Sequence, residues 1–469
     1  MDAPLCPGCR ERDARIAVQA TRIADLEQRL AALEARLGTN STNSSVPPSA
    51  NPLGAPKPVV KKKSGRKPGG QPGHPPHLKQ LLPPERVTKT RVFVPRHCEH
   101  CQAALPAQAR PGDPEPTRFQ TIELPPLAAE VTEYQGQART CSACGHVTRA
   151  PIPAEIRAHS VGPRLTATLA YFSGCHGLGK RPVEEIAAAV FAAPVSLGTV
   201  ANLEQEMSAA LEAPHQEALT AVRTAAVKNA DETSWKQAGK LCWLWGAATA
   251  CVAAFVIHAK HGATGLQALL GASVHGILCT DRLAVYEQVL AEYRQLCWAH
   301  LKRDFRKIVD RGGASVRLGR EGLLIVRKVF AAWHAFQDGA CTRDQLGENL
   351  APVVSQMSRL LKRGLSSRDK STARFCANVL KVEVALWTFV VEEGVEPTNN
   401  FMERLLRRAV LWRKRSFGCW SAAGCRFVER ILTVVQTRRL QDKNVLEYLH
   451  DAILAHRNGQ HCPQLLSER

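Results

Sequence analysis

Acidic residues are scarce for a chain of this size: 469 residues carry 42 Asp and Glu against 62 Lys and Arg, a formal charge of +20. The deficit excludes a chain built to bind basic partners and points to a polyanion. Because the basic residues are spread through several segments, nucleic acid ranks ahead of an anionic membrane. A secretory start is also lacking. The first residues, MDAPLCPGCRERDAR, have neither an apolar core nor a cleavage site, which predicts a cytoplasmic protein. Long apolar runs are nearly absent. The one stretch of about bilayer length without Lys, Arg, Asp or Glu is 241–259, LCWLWGAATACVAAFVIHA. It is rich in Ala, is broken by Gly246 and Thr249, and falls into two β-branched or aromatic halves, so a buried hairpin is expected rather than a membrane helix.

What is present is ample for folding. Hydrophobic residues make up 45% of a chain too long for one core, so several units are expected. Sixteen cysteines without an export signal fit a reducing compartment, where paired thiols bind metal more often than they form disulfides.

The first unit, 1–38, holds a CxxC (Cys6, Cys9) and a heptad pattern. Ile16, Ile23, Leu30 and Leu37 occupy one apolar position and Leu26 and Leu33 the other, with Gln19 the polar exception. Arg22 and Arg29 then fall at g and Glu27 and Glu34 at e, a pairing that favours a parallel coiled coil and hence a homodimer or higher oligomer. A helix packed on its own chain is the alternative. Residues 39–90 are a Pro/Gly-rich basic linker. Within it Lys61, Lys62, Lys63, Arg66 and Lys67 resemble an extended hook for the DNA minor groove, with a solvated linker as the equal alternative.

Between 91 and 150, Cys98 and Cys101 form one knuckle and Cys141 and Cys144 another. Four thiolates from two tight turns make the cage of a structural zinc site, and the strand-like runs FQTIEL and AAEVTEY between them predict a zinc ribbon. His97, His100 and His146 are read as surface residues. Residues 151–222 are helical; within them 182–207 suits a helix-turn-helix whose second helix is 197–207, or a helical hairpin serving as a spacer.

From 223 to 450 the pattern is strand, hairpin, helix and strand. TAAVKNAD ends in Asp231 and HGILCTD in Asp281, and both aspartates are expected to terminate short apolar strands. If those strands lie side by side, their carboxylates meet at the mouth of a sheet. A third acid, Glu403, opens the basic stretch NNFMERLLRRAVLWRKRSFG. One account of it is a capping box, with Asn400 as N-cap. The other is chemical: Asp231, Asp281 and Glu403 are oxygen ligands suited to Mg2+ (or Mn2+), and paired ions could activate a hydroxyl and stabilise the leaving oxygen of a phosphodiester. Arg407, Arg408, Lys414 and Arg415 would then contact DNA phosphates. Residues 305–395 read as a helical insertion, and 451–469 as a C-terminal tail.

The segments NADETSW, LCTDRLAVY, CWAHLKRDF and NNFMERLLRRAVLWRKRSFG, following the cysteine knuckles and GRKPGGQPGH, resemble a bacterial insertion-sequence transposase of the sixty-six family. The resemblance runs from about residue 20 to 450. It implies a multidomain α/β protein with a ribonuclease-H-like catalytic domain and a three-carboxylate (DDE) site whose members map to Asp231, Asp281 and Glu403. Trp298 and His300 match a family motif whose role the residues do not explain. The implied activity is metal-dependent cleavage and strand transfer of DNA, with terminal inverted repeats and target DNA as partners, accessory proteins of the same element possible, and no membrane. A nuclease that only hydrolyses, and a DNA-binding regulator with an inactive catalytic domain, are the alternatives.

Overall fold

The computed structural model describes residues 7–37 and 80–466. Cys6, Lys61, Lys62, Lys63, Arg66, Lys67 and most of the linker lie outside the described residues, so the readings made on them are not tested. The described residues fall into two units, one of 80–128 and the other of 7–37 with 129–466.

In the smaller unit, a bridge between His97 and Ala104 brackets the first cysteine knuckle. The side-chain amide of Gln120 clasps the backbone of Leu82, accepting from its N–H at 2.7 Å and donating to its carbonyl at 3.0 Å.

The larger unit opens with α1 (Pro7–Leu37). The heptad residues Ile16, Ile23, Leu26 and Leu30 are all more than half exposed on it. Next, β1 (Ala138–Thr140) and β2 (Val147–Arg149) pair antiparallel on either side of the second knuckle. Here the structure corrects the sequence: the runs FQTIEL and AAEVTEY form no strand. Phe119, Ile122, Leu124 and Val131 stay exposed, and the prolines at 125 and 126 remove two of the N–H donors a ladder would need. The strands that do form flank a knuckle rather than join the two.

Helices α2 (Ala154–Ala158), α3 (Pro163–His176), α4 (Lys180–Phe191), α5 (Leu197–Ala210) and α6 (Glu212–Thr224) follow. The helical hairpin expected at 182–207 is α4 and α5, with the Ser196 hydroxyl capping α5 by accepting from the Thr199 N–H. The inner face of α5, including Val200, Leu203 and Met207, is buried. Its Glu204 and Glu206 are tied to Lys180 and Arg457, so its polar groups are engaged within the chain.

The central sheet has the order β5-β4-β3-β6-β7. Strands β3 (Val227–Gln237), β4 (Lys240–Ala248) and β5 (Ala253–His258) are antiparallel, which makes the apolar run 241–259 the buried hairpin expected of it. Among the described residues no helix is long and apolar enough to cross a membrane. After α7 (Ala263–Leu270), β6 (Ile277–Thr280) and β7 (Arg294–Leu296) continue the sheet parallel to β3.

A helical insertion of α8 (Trp298–Asp310), α9 (Val316–Gln337), α10 (Arg343–Gly364), α11 (Lys370–Leu380) and α12 (Thr388–Val391) packs around a core that it shares with Ile277, Cys279 and Leu296 of the sheet, in which Phe305, Val329, Met357 and Phe389 are fully buried. Then α13 (Asn400–Ser416) and α14 (Ala422–Leu440) cover one face of the sheet, with Met402, Leu406 and Ala409 packed on Trp235, Leu244 and Phe255. The other face buries Ala230, Trp245 and Ala254 with residues of α6, α7 and α15 (Val445–Arg457). The region read as a tail is integral to this core: Leu465 is fully buried, and its N–H and that of Leu466 donate to the Glu217 carboxylate at 2.9 and 2.8 Å.

Candidate active site

Strand register determines where the first two acids stand. Asn229 on β3 pairs with Cys279 on parallel β6; each aspartate lies two residues further on, Asp231 still within β3 and Asp281 just past the end of β6, so both stand beyond the same end of the paired segment. Asp231 does not end its strand as expected. The strand runs on to Gln237 against β4, because Thr233, Trp235 and the antiparallel partner extend the ladder after β6 has stopped. Asp281 does follow the last residue of β6, and its Oδ1 accepts from the Leu283 N–H at 2.8 Å, which fixes the turn out of the sheet.

Glu403 arrives on the first turn of α13, and the capping box does not form. The N-cap is Asn399 rather than Asn400, and its side chain makes no cap hydrogen bond. That side chain is fully buried and bonded to β3 instead: its Nδ2 donates to the Ala230 carbonyl at 2.8 Å, and its Oδ1 accepts from Asn229 Nδ2 at 2.9 Å. The backbone N–H of Asn399 donates to Cys297 Sγ at 3.1 Å, which ties the start of α13 to the start of α8 as well. With no cap to make, the Glu403 carboxylate faces basic groups from α8. Its Oε1 lies 3.3 Å from Arg303 Nη2 and 3.5 Å from His300 Nδ1.

The electrostatics record how these acids crowd one another. The Asp231 carboxyl is held well above its usual range, first by burial and then by the charges of Glu232, Asp281 and Glu403. Its neighbour Glu232 is also raised, mainly by burial, although it accepts from the Tyr286 hydroxyl at 2.7 Å and lies 3.1 Å from His261. Burial, and then Arg303, push the His300 imidazole below its ordinary value and favour its neutral form. Mutual repulsion of this kind is what a divalent cation relieves, and the donor set of hard oxygens suits magnesium. Among the described residues no three His, Cys, Asp or Glu side chains are close enough to hold a metal ion as they stand. Glu403 is paired with Arg303 instead.

Trp298 is a core residue whose Nε1 donates to the Leu386 carbonyl at 2.8 Å, fastening α8 to the insertion. On α13, Arg407, Arg408, Lys414 and Arg415 are exposed. Arg408 and Arg415 edge a cavity of about 440 Å³ that Phe172, His176 and Trp412 also line. Arg413 differs from its neighbours: it is half-buried and donates to Thr233 Oγ1 at 3.0 Å and to Ser234 Oγ at 2.6 Å, clamping α13 to β3.

In each cysteine knuckle backbone N–H groups turn toward the first sulfur. The thiol of Cys98 is lowered by backbone N–H groups of Cys101 and His100, and that of Cys141 by those of Cys144 and Ala143. Cys101, Cys141 and Cys144 are exposed and Cys98 is partly so. The two knuckles belong to different units.

Sequence reasoning missed Asn399, Asn229, Arg303 and Cys297. The first two form one amide pair across the β3–α13 seam, and their signal was the doubled Asn at 399 and 400, of which only one could be a cap. Cys297 and Arg303 flank His300 in CWAHLKRDF, a segment whose spacing alone names no partner.

Two aspartates thus stand on or just beyond neighbouring strands of a mixed sheet, beside an arginine-rich helix whose first turn carries Glu403. The family model described as Transposase IS66 family matches residues 159–426, and the chain belongs to that family. A family of unknown function, DUF6444, matches residues 2–80. The chain is also 23% identical over 161 residues to an uncharacterized protein, y4qI, of Sinorhizobium fredii (strain NBRC 101917 / NGR234). That match covers 34% of this chain and 30% of the relative.

Proposed function

We propose that this transposase cuts DNA at the terminal repeats of its element and joins the freed 3′ ends to target DNA, using a ribonuclease-H-like domain. The observation that supports this reading is the parallel pairing of β3, which bears Asp231, with β6, which leads into Asp281, with Glu403 entering on the first turn of α13 and adding its charge to those that raise Asp231. Asp231, Asp281 and Glu403 would hold magnesium or manganese, which when bound would activate a water or 3′ hydroxyl and stabilise the leaving oxygen. For Glu403 to take part it must leave Arg303. That guanidinium is then free to meet a phosphate, and neutral His300 beside it can donate to the scissile group. Exposed Arg407, Arg408, Lys414 and Arg415 hold the DNA backbone along α13. Cys98, Cys101, Cys141 and Cys144 would bind a structural zinc, and α1 would pair with its counterpart in a second copy.

The test is incubation of purified protein with terminal-repeat duplex, a target plasmid and magnesium. Nicking at the element end followed by joined product supports the reading. Nicking without joining, given a pre-cut end, would favour a hydrolytic nuclease, and sequence-specific binding without nicking would favour a regulator with an inactive domain.

A further inference from the structure

The loop after α13 carries two large aromatic side chains held out in solvent. Phe417 is 76% exposed and Trp420 is 86% exposed; two such side chains on one short loop form a clustered apolar surface of the kind that marks an interaction site, where a single exposed aromatic would not. The backbone beneath them is firmly held. Cys419 forms a bridge with Gln237; its N–H donates to the Lys236 carbonyl, and the Ala238 N–H donates to the Cys419 carbonyl, both at 2.8 Å. Phe417 itself closes α13 in the left-handed region, at φ 59°, a conformation costly for a residue with a Cβ. Gly418 beside it is irreplaceable, because a Cβ there would lie 2.2 Å from the Lys236 carbonyl oxygen. A strained, pinned loop that displays aromatics has already lost the freedom that binding would otherwise cost.

The charge around the loop names its partner. Lys414 and Arg415 precede it on α13, Lys236 and Lys240 stand on the hairpin it is pinned to, and all four are exposed. Exposed aromatics ringed by cations fit the bases and phosphates of DNA, where apolar side chains enter base steps and stack on unpaired bases.

We infer that Phe417 and Trp420 form a wedge that enters the base stack of the bound duplex and opens it near the cleavage site. This rests on the DNA-cutting role proposed above and adds how the duplex is distorted. Two routes give its distance from the acids. From Asp231 to Gln237 the strand advances roughly 20 Å, and from Glu403 to Phe417 the helix advances roughly 21 Å. The opened step therefore lies on the order of six base pairs from the scissile phosphate.

The experiment uses full-length protein and terminal-repeat duplexes with 2-aminopurine at successive positions, without divalent metal so that nothing is cut. The expected result is raised emission at one or two adjacent positions with the parent and none with Phe417→Ala/Trp420→Ala, whose affinity falls roughly tenfold. A mismatch placed at that step restores the variant's binding, and Phe417→Trp/Trp420→Phe retains both signals. Parent binding with no emission change, or a double-alanine variant that keeps the parent's emission profile, overturns the wedge and leaves the transposase reading standing. An oligomer mass reduced by the double substitution also overturns it, since the aromatics would then cover a second copy. A parent that binds none of these duplexes overturns both inferences.

Discussion

Asn399, the residue before α13, donates its side-chain amide to the carbonyl of Ala230, the residue before Asp231. One buried bond thus joins the element that bears the third acid to the strand that bears the first. Replacing Asn399 with Ala leaves the Ala230 carbonyl and the Asn229 amide without these partners. Each such loss in a buried site costs about 1–3 kcal/mol. Thermal melting should show the destabilisation, and nicking should fall further than the folded fraction does. Loss of activity only in proportion to unfolding would make Asn399 purely structural.

Glu403→Gln tests the site directly. Since Glu403 makes no cap, the substitution should leave folding and DNA affinity nearly intact while cleavage and strand transfer fall roughly 100-fold or more, as when a group stabilising transition-state charge is disabled. Asp231→Asn and Asp281→Asn should behave alike, and combining them should add little because the three act as a unit. A Glu403→Gln protein that nicks at the parent rate would remove Glu403 from the chemistry.

Glu429 on α14 gives a pH signature away from the site. Its carboxylate accepts from the Ile257 N–H at 2.6 Å, and burial raises it from 4.5 to about 7. A carboxyl raised on folding binds its proton more tightly in the native state, so its contribution is fully present below pH 4.5 and is lost as pH rises through about 7. Glu429→Gln keeps an acceptor and removes the charge. Its melts should match the parent's below pH 4.5 and exceed them above about 7, by up to about 3 kcal/mol. Equal stability at both ends would contradict this sign.

The knuckles predict one zinc per chain. Cys98→Ser or Cys141→Ser should release it, measured by elemental analysis of dialysed protein. Metal content indifferent to both substitutions would count against a shared site.

The heptad face of α1 predicts self-association. Removing residues 1–38 should lower the mass seen by light scattering, since Ile16, Ile23, Leu26 and Leu30 are exposed on the single chain. An unchanged mass would assign assembly to another surface.

Much of the central fold was legible because its signals are local. The 241–259 hairpin, α7, β6 and the helical insertion follow from apolar run length and periodicity, and the α4–α5 hairpin from the two helical stretches within 182–207. That Asp231 and Asp281 could meet was anticipated on the condition that their strands lie side by side, and β3 and β6 do pair. Tertiary partners were not legible. Whether Asp231 ends a strand depends on β4, not on its own neighbours. Whether Asn400 or Asn399 caps α13 depends on an amide waiting on β3. FQTIEL and AAEVTEY have the composition of strands but lack a neighbour to pair with.

The helical insertion stands in the chain between Asp281 and Glu403, and on the proposed reading this order would make the acidic cluster complete only late in synthesis. A nascent or truncated chain ending anywhere in α8 to α12 already carries two of the acids but lacks α13, and with it Asn399, Glu403 and the arginine row. The third acid reaches β3 only after the insertion has been made, and α13 can dock there only once the sheet exists to receive Asn399. On the DNA-cutting reading proposed above, a chain stopped within the insertion would lack the third acid and should not nick DNA.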